Sequence, residues 1–173
     1  MSQQVPTLKE FFLAQLDREA ALTRKAIAHL PEGQNDFKPH ERSMALGYLA
    51  AVVASMLGWI ALMIDCDELN MDDPANEMLR TRPLANSAEL CASLDKAVGE
   101  ARRALESTTD AHLLKPWAFK MGGTAIEQQP RHIMITDGVF SHLAHHRGQL
   151  TVYLRLNEAK VPALYGPSAD EHH

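Results

Sequence analysis

From Met44 to Ile64 the chain reads MALGYLAAVVASMLGWIALMI, without one charged side chain. No other stretch restricts the fold as tightly. About 20 apolar residues is the length that spans a bilayer. It is equally the length of a core helix touched by neighbours on several sides. The flanks separate the two readings. HERS precedes the run and DCDELN follows it, and Gly47, Tyr48, Ser55 and Gly58 interrupt it. The run therefore reads as a buried helix that starts near Ser43, a good N-cap residue, and continues to about Ile64, with no membrane contact. A helix without a polar face needs several partners.

The remaining periodicities supply three. The first runs from about Thr7 to Leu30, with Phe11, Leu16, Ala20, Ile27 and Leu30 at helical spacing. Asp17, Arg18, Glu19, Arg24 and Lys25 fill much of its other surface, and Pro31 and Gly33 end it. Another begins at Asn86 or Ser87 and reaches about Glu106, with Leu90, Leu94, Ala97, Val98, Ala101 and Leu105 as its stripe. The last spans about His132 to Asn157. Long connections follow the second and third helices. The first is acidic, is broken by Pro74 and Pro83, and has room for a short helical turn; the second contains WAFKMGG, a possible short hairpin. Connections of that length are functional or cross from one end of a bundle to the other. The expected fold class is all-α: a four-helix bundle with at least one long crossover, forming a single domain over residues 1–173.

Composition narrows the partners. A net charge of −5 opposes nucleic acid, whose phosphates call for a basic excess. No basic segment leads into an apolar signal at the N-terminus, and Cys66 and Cys91 are the only thiols; both facts suit the reducing cytoplasm. The thiol spacing matches no zinc module. DCDELNMDD lacks the calcium-loop pattern of alternating acids, a glycine and a distal Glu. There is no phosphate-binding glycine loop and no G-x-S-x-G turn. Trp59 and Trp117 read as core or pocket-rim aromatics. His172 and His173 at the C-terminus are set aside.

The chemistry concentrates in FSHLAHHRGQL, Phe140 to Leu150. His142 and His146 stand at i and i+4, one turn apart on one helix face. Ile135, Val139, His142, His146, Leu150 and Tyr153 form one stripe, which turns both imidazoles toward the interior. His145 falls on another stripe with Ser141, Gly148, Gln149 and Val152, suited to close packing against another helix or a second subunit. Two inward imidazoles cannot both be protonated cheaply. They are satisfied either by a divalent cation or by core hydroxyls and water. Arg147 meets an acidic ligand or pairs with a Glu or Asp of its own chain.

HLAHHRGQL resembles the last-helix signature of the DinB/YfiT-like superfamily, and KPHERSMALGYLAAVVASMLGW resembles that family's second-helix region. The similarity runs from about Phe37 to Leu156. It implies a four-helix bundle with non-sequential helix directions, often dimeric, and a divalent metal held by three histidines. It also implies relatedness to transferases and isomerases that use a thiol cosubstrate. Carried over by residue, His142 and His146 match the H-x-x-x-H metal pair. The second-helix histidine is absent: Val52 stands in its place, and no His, Asp, Glu or Cys occurs between Ser43 and Ile64. His40 and Asp65 are roughly 18–20 Å away along a helix. Two readings follow. One is a metal-dependent enzyme (zinc, nickel or iron) with a small-molecule or thiol cosubstrate and an incomplete site. The other is a metal-free, non-catalytic relative, a small-molecule-binding or structural homodimer.

Overall fold

The computed structural model describes residues 5–79, 81–84 and 86–172, with the backbone alone over 77–79. The chain is mostly helical. Helix α1 spans Leu8–Ile27. Its start is fixed by a capping box: the Thr7 hydroxyl accepts from Glu10 N, and the Glu10 carboxylate accepts from Thr7 N. Helix α4, Ser87–Ser107, begins the same way with the Asn86 side chain accepting from Glu89 N. Both starts fall where the sequence places them.

The central apolar run folds as α2, Leu46–Ser55, and α3, Trp59–Asp65, joined by a 3-10 turn over Met56–Gly58. It starts later than Ser43 because its cap is not a side chain. Leu46 N donates to Phe37 O and Gly47 N to Asn35 O, both at 2.9 Å, so backbone carbonyls satisfy the free N–H groups of the first turn. Gly47 suits that close contact, because a Cβ there would lie 3.1 Å from Asn35 Cβ and Asn35 would have to yield by a few tenths of an ångström. The break at Ser55 has local causes. The Ser55 hydroxyl donates back to Ala51 O at 2.8 Å, and Gly58 brings the backbone close enough to α4 that a Cβ would sit 3.4 Å from Ala97 Cβ. The segment Leu46–Asp65 has the length and composition of a membrane span, yet 67% of its most apolar window is buried within the fold. It packs on α4 and, through α2, on the last helix and α1.

The all-α expectation needs correcting. Strand β1, Glu68–Asn70, follows α3; a 3-10 turn over Pro74–Leu79 and the short helix α5, Asp110–Leu113, come before and after α4. Strands β2, Pro116–Met121, and β3, Thr124–Pro130, form an antiparallel hairpin, and β1 adds to β2 in parallel. Gly122 and Gly123, at φ +55 and +75, make the two-residue turn, whose backbone needs positive φ at both positions. The hairpin is longer than WAFKMGG and gains a third strand. Trp117 and Ala118 are buried, whereas β3 is exposed over nearly its whole length.

Arg131, 1% exposed, ties this sheet to the core. Its guanidinium donates to Met63 O at 2.8 Å and Cys66 O at 3.0 Å, closing the C-terminal end of α3, and to Pro116 O at 2.8 Å on β2. Arg131 opens the last helical segment: α6, Arg131–Ile135, a π-helical stretch over Thr136–Ser141, and α7, His142–Leu156. Helices α1, α2, α4 and α7 pack around one apolar core that includes Leu16, Leu49, Val53, Leu94, Leu143 and Leu150.

Two stripe assignments change. In α1 the buried face carries Phe12 rather than Phe11, which is 53% exposed, and it includes Glu19 at 2%. Glu19 therefore belongs to the interior, not to the polar surface. The C-terminal tail also folds back: Ala163 is buried, and Tyr165, 63% exposed as a residue, brings its hydroxyl to the buried Glu19 of α1. His173 lies outside the described residues.

Candidate functional site

The inward stripe of the last helix is as expected at Ile135, Val139, His146, Leu150 and Tyr153, all buried. His142 is half-buried and His145 exposed. The rings of His142 and His146 lie 4.6 Å apart between centroids, and those of His145 and His146 5.1 Å apart. Trp59 meets His142 edge to face at 6.2 Å, which brings α3 to the histidine cluster.

His146 is oriented by its own helix. Its Nδ1 lies 2.8 Å from Gln149 Oε1. With the amide oxygen as acceptor, Nδ1 carries the proton and Nε2 presents a lone pair. Burial holds the His146 pKa below the usual imidazole value; the Gln149 hydrogen bond opposes that shift, and the neighbouring His142 and His145 reinforce it. A lowered folded pKa means that the unfolded chain takes up the proton first. The stability contributed by neutral His146 is thus complete above about pH 6.5, the unfolded value, and is lost as pH falls toward the lower folded value. His146→Gln, neutral at every pH, is expected to flatten that acid limb. Denaturant midpoints measured at successive pH values below 7 check this; parallel curves for the two proteins would contradict it.

Helices α2 and α7 run antiparallel. The Tyr153 hydroxyl donates to Met44 O at 3.0 Å at one end, and Trp59 meets His142 at the other. Val52 lies between those two anchors, level with the turn that carries His146. It is 8% exposed and offers only methyl groups. Ser55, one turn on, spends its hydroxyl proton on Ala51 O, and Tyr48 is 37% exposed. Among the described residues no group of three or more His, Cys, Asp or Glu side chains gathers where it would hold a metal ion. The donor set is two imidazoles, one short of the three protein ligands of an open catalytic site. The residues present do not fit a tightly held metal.

Arg147, beside His146, turns away from the cluster. It is fully buried and donates to Glu19 Oε2 at 2.5 Å and Thr23 Oγ1 at 2.8 Å. Tyr165 from the tail donates to the same Glu19 oxygen at 2.7 Å and lies under the guanidinium, its ring centroid 5.2 Å from Cζ. Burial, helped by the Glu19 hydrogen bond, pushes the Tyr165 pKa up to about 12. Of the two roles open to Arg147, the ion pair within the chain is the one realised. The acid it pairs with was hidden in the sequence by its charged neighbours Asp17 and Arg18.

On the other side of α2–α3, against α4 and under the 81–84 segment, lies an open cleft of about 900 Å³. Trp59 forms part of its wall, so one aromatic ring touches both the cleft and His142. Periodicity did not indicate the cleft, because its residues come from three separate segments.

The comparisons with known proteins agree with this architecture. The DinB family model matches residues 1–173, and the chain belongs to the DinB family. It is 27% identical over 163 residues to the uncharacterized protein YrdA of Bacillus subtilis (strain 168), covering 94% of this chain and 90% of that protein. Among solved structures it is similar to a DinB-like protein from Bacillus cereus ATCC 10987, with TM-score 0.67 and 20% identity over 89% of this chain and 95% of that one. It is also similar to the DinB-like protein YjoA of Bacillus subtilis, with TM-score 0.64 and 16% identity over 87% of this chain and 94% of that one. At these identities the solved structures speak for the fold alone.

Proposed function

We propose that this DinB-family chain is a small-molecule-binding protein that works without a tightly held metal. The observation that carries the reading is the donor count at the histidine pair. By the family resemblance Val52 stands where a third ligand would be, and among the described residues no group of three or more His, Cys, Asp or Glu side chains gathers to hold a metal. His146 then serves as a neutral hydrogen-bond acceptor through Nε2, fixed by Gln149. The four long helical segments are read as one four-helix-bundle domain over residues 1–173. Its exposed α7 face, with Ser141, His145, Gly148 and Val152, is the seam proposed for a homodimer. The free thiols Cys66 and Cys91 suit a reducing, cytoplasmic setting.

A second reading keeps a specific observation in its favour. Two imidazoles one turn apart, with rings 4.6 Å apart and one Nδ1 already anchored, have the orientation that metal-binding histidines use. On that reading the chain is a divalent-metal enzyme using zinc, nickel or iron, related to thiol-dependent transferases and isomerases. Elemental analysis of protein purified without a tag separates the two. The metal-independent reading expects well under one equivalent of zinc, nickel or iron per chain. One full equivalent retained through dialysis would overturn it.

A further inference from the structure

The cleft beside α3 combines an apolar wall with charged groups drawn from three segments of the chain. Its walls are apolar and small where α2–α3 approaches α4, at Ala51, Leu62, Ala97 and Ala104, with Trp59 at one side and Leu84 from the crossover segment. Its volume of about 900 Å³ lies within the range of small-molecule sites. The charged groups around it are Arg82, Lys96 and Arg103 against Asp65 and Glu100. Lys96 faces Glu100 at 4.0 Å in a solvent-exposed pair one helical turn apart.

The arginines are the informative ones. Arg18, Arg24, Arg102, Arg131, Arg147 and Arg155 all sit in ion pairs. Among the described residues Arg42, Arg82 and Arg103 do not, and two of those three line this one cleft. They approach it from different elements, Arg82 from the crossover segment and Arg103 from α4. Six of the nine described arginines are neutralised by the fold's own carboxylates; of the three that are not, two stand over this partly apolar trough. A planar guanidinium binds an oxyanion through paired N–H donors.

We propose that the cleft binds an amphipathic organic anion, with an oxyanion head held by Arg82 and Arg103 and an apolar body laid along Ala97, Leu62 and Trp59. The proposal rests on the small-molecule-binding reading above and gives it a ligand class.

A matched pair of fluorescent probes tests it: anilinonaphthalene sulfonate, which is anionic, and phenylnaphthylamine, its uncharged analogue. The wild-type chain is expected to bind the sulfonate saturably and more tightly than the neutral probe. Energy transfer from tryptophan should fall sharply in Trp59→Phe, which places the probe in the cleft, since the remaining Trp117 is buried elsewhere. Arg82→Gln with Arg103→Gln should weaken sulfonate binding about tenfold or more, as expected for losing charge-assisted hydrogen bonds, and leave the neutral probe unchanged. Arg42→Gln, also unpaired but outside the cleft, should alter neither. Equal affinity for both probes, or sulfonate binding indifferent to the paired Arg substitution, would overturn the anion class while leaving a ligand-binding cleft. Binding of neither probe would overturn both the anion proposal and the small-molecule reading.

Discussion

Replacing Arg147 with methionine is expected to destabilise the protein by about 3–5 kcal/mol, the usual cost of breaking a buried ion pair from one side. Arg147 is fully buried and Glu19 2% exposed. Without the guanidinium, Glu19 keeps hydrogen bonds from Gln15 and Tyr165 but loses its buried countercharge. The partly exposed Arg18, 3.5 Å from the other Glu19 oxygen, is screened by water and compensates little. For a chain of this size the loss corresponds to a fall in melting temperature of roughly 10 °C. Removing both charges, with Arg147→Met and Glu19→Leu together, should recover much of it, because the penalty comes from the unpaired charge and not from the missing attraction. Thermal and denaturant unfolding of the single and double variants measure this. A single variant that unfolds with the wild type would show that the pair does not hold α1 to α7.

That pair illustrates where sequence reasoning stops. The beginnings of α1 and α4 were legible because their caps are side chains, Thr7 with Glu10 and Asn86 with its acceptor role toward Glu89 N. The beginning of α2 was not, because its caps are the carbonyls of Asn35 and Phe37, which depend on where the preceding turn lies in space. Ser43 had the right chemistry for a cap in the wrong place. Strand β3 carries no apolar alternation because neither of its faces is buried, and β1 is too short to show a period. The hairpin turn was legible in Gly122–Gly123; the third strand was not.

At the candidate site the same distinction holds. The His142–His146 pair and its inward stripe follow from helical spacing alone. The role of Gln149 in fixing the His146 tautomer also lies within one turn, yet it depends on a side-chain rotamer that sequence does not specify. Glu19 as partner of Arg147 and Tyr165 as the third member join residues far apart in the chain. The cleft is assembled from α2–α3, the crossover and α4, and its unpaired arginines are recognisable only once the ion pairs of the other described arginines are known.

The central claim is that Val52 occupies a missing ligand position, and metal titration of the Val52→His variant tests it most directly. Structural zinc sites are worth about 10–16 kcal/mol over four ligands, or roughly 3 kcal/mol each, so a third imidazole should tighten binding about a hundredfold. Val52 is nearly buried and falls between the Tyr153–Met44 and Trp59–His142 contacts of the antiparallel α2 and α7, a register that brings it opposite the turn of His146; the fold of the variant should be verified by circular dichroism. The control is Val52→His combined with His146→Ala, which has two imidazoles again and should bind as weakly as the wild type. In calorimetry with zinc and nickel, the account predicts weak or substoichiometric binding by the wild type. It predicts one tight equivalent for Val52→His and loss of that gain in the control. A wild-type chain that already binds one metal tightly, or a folded Val52→His that gains nothing, would contradict it.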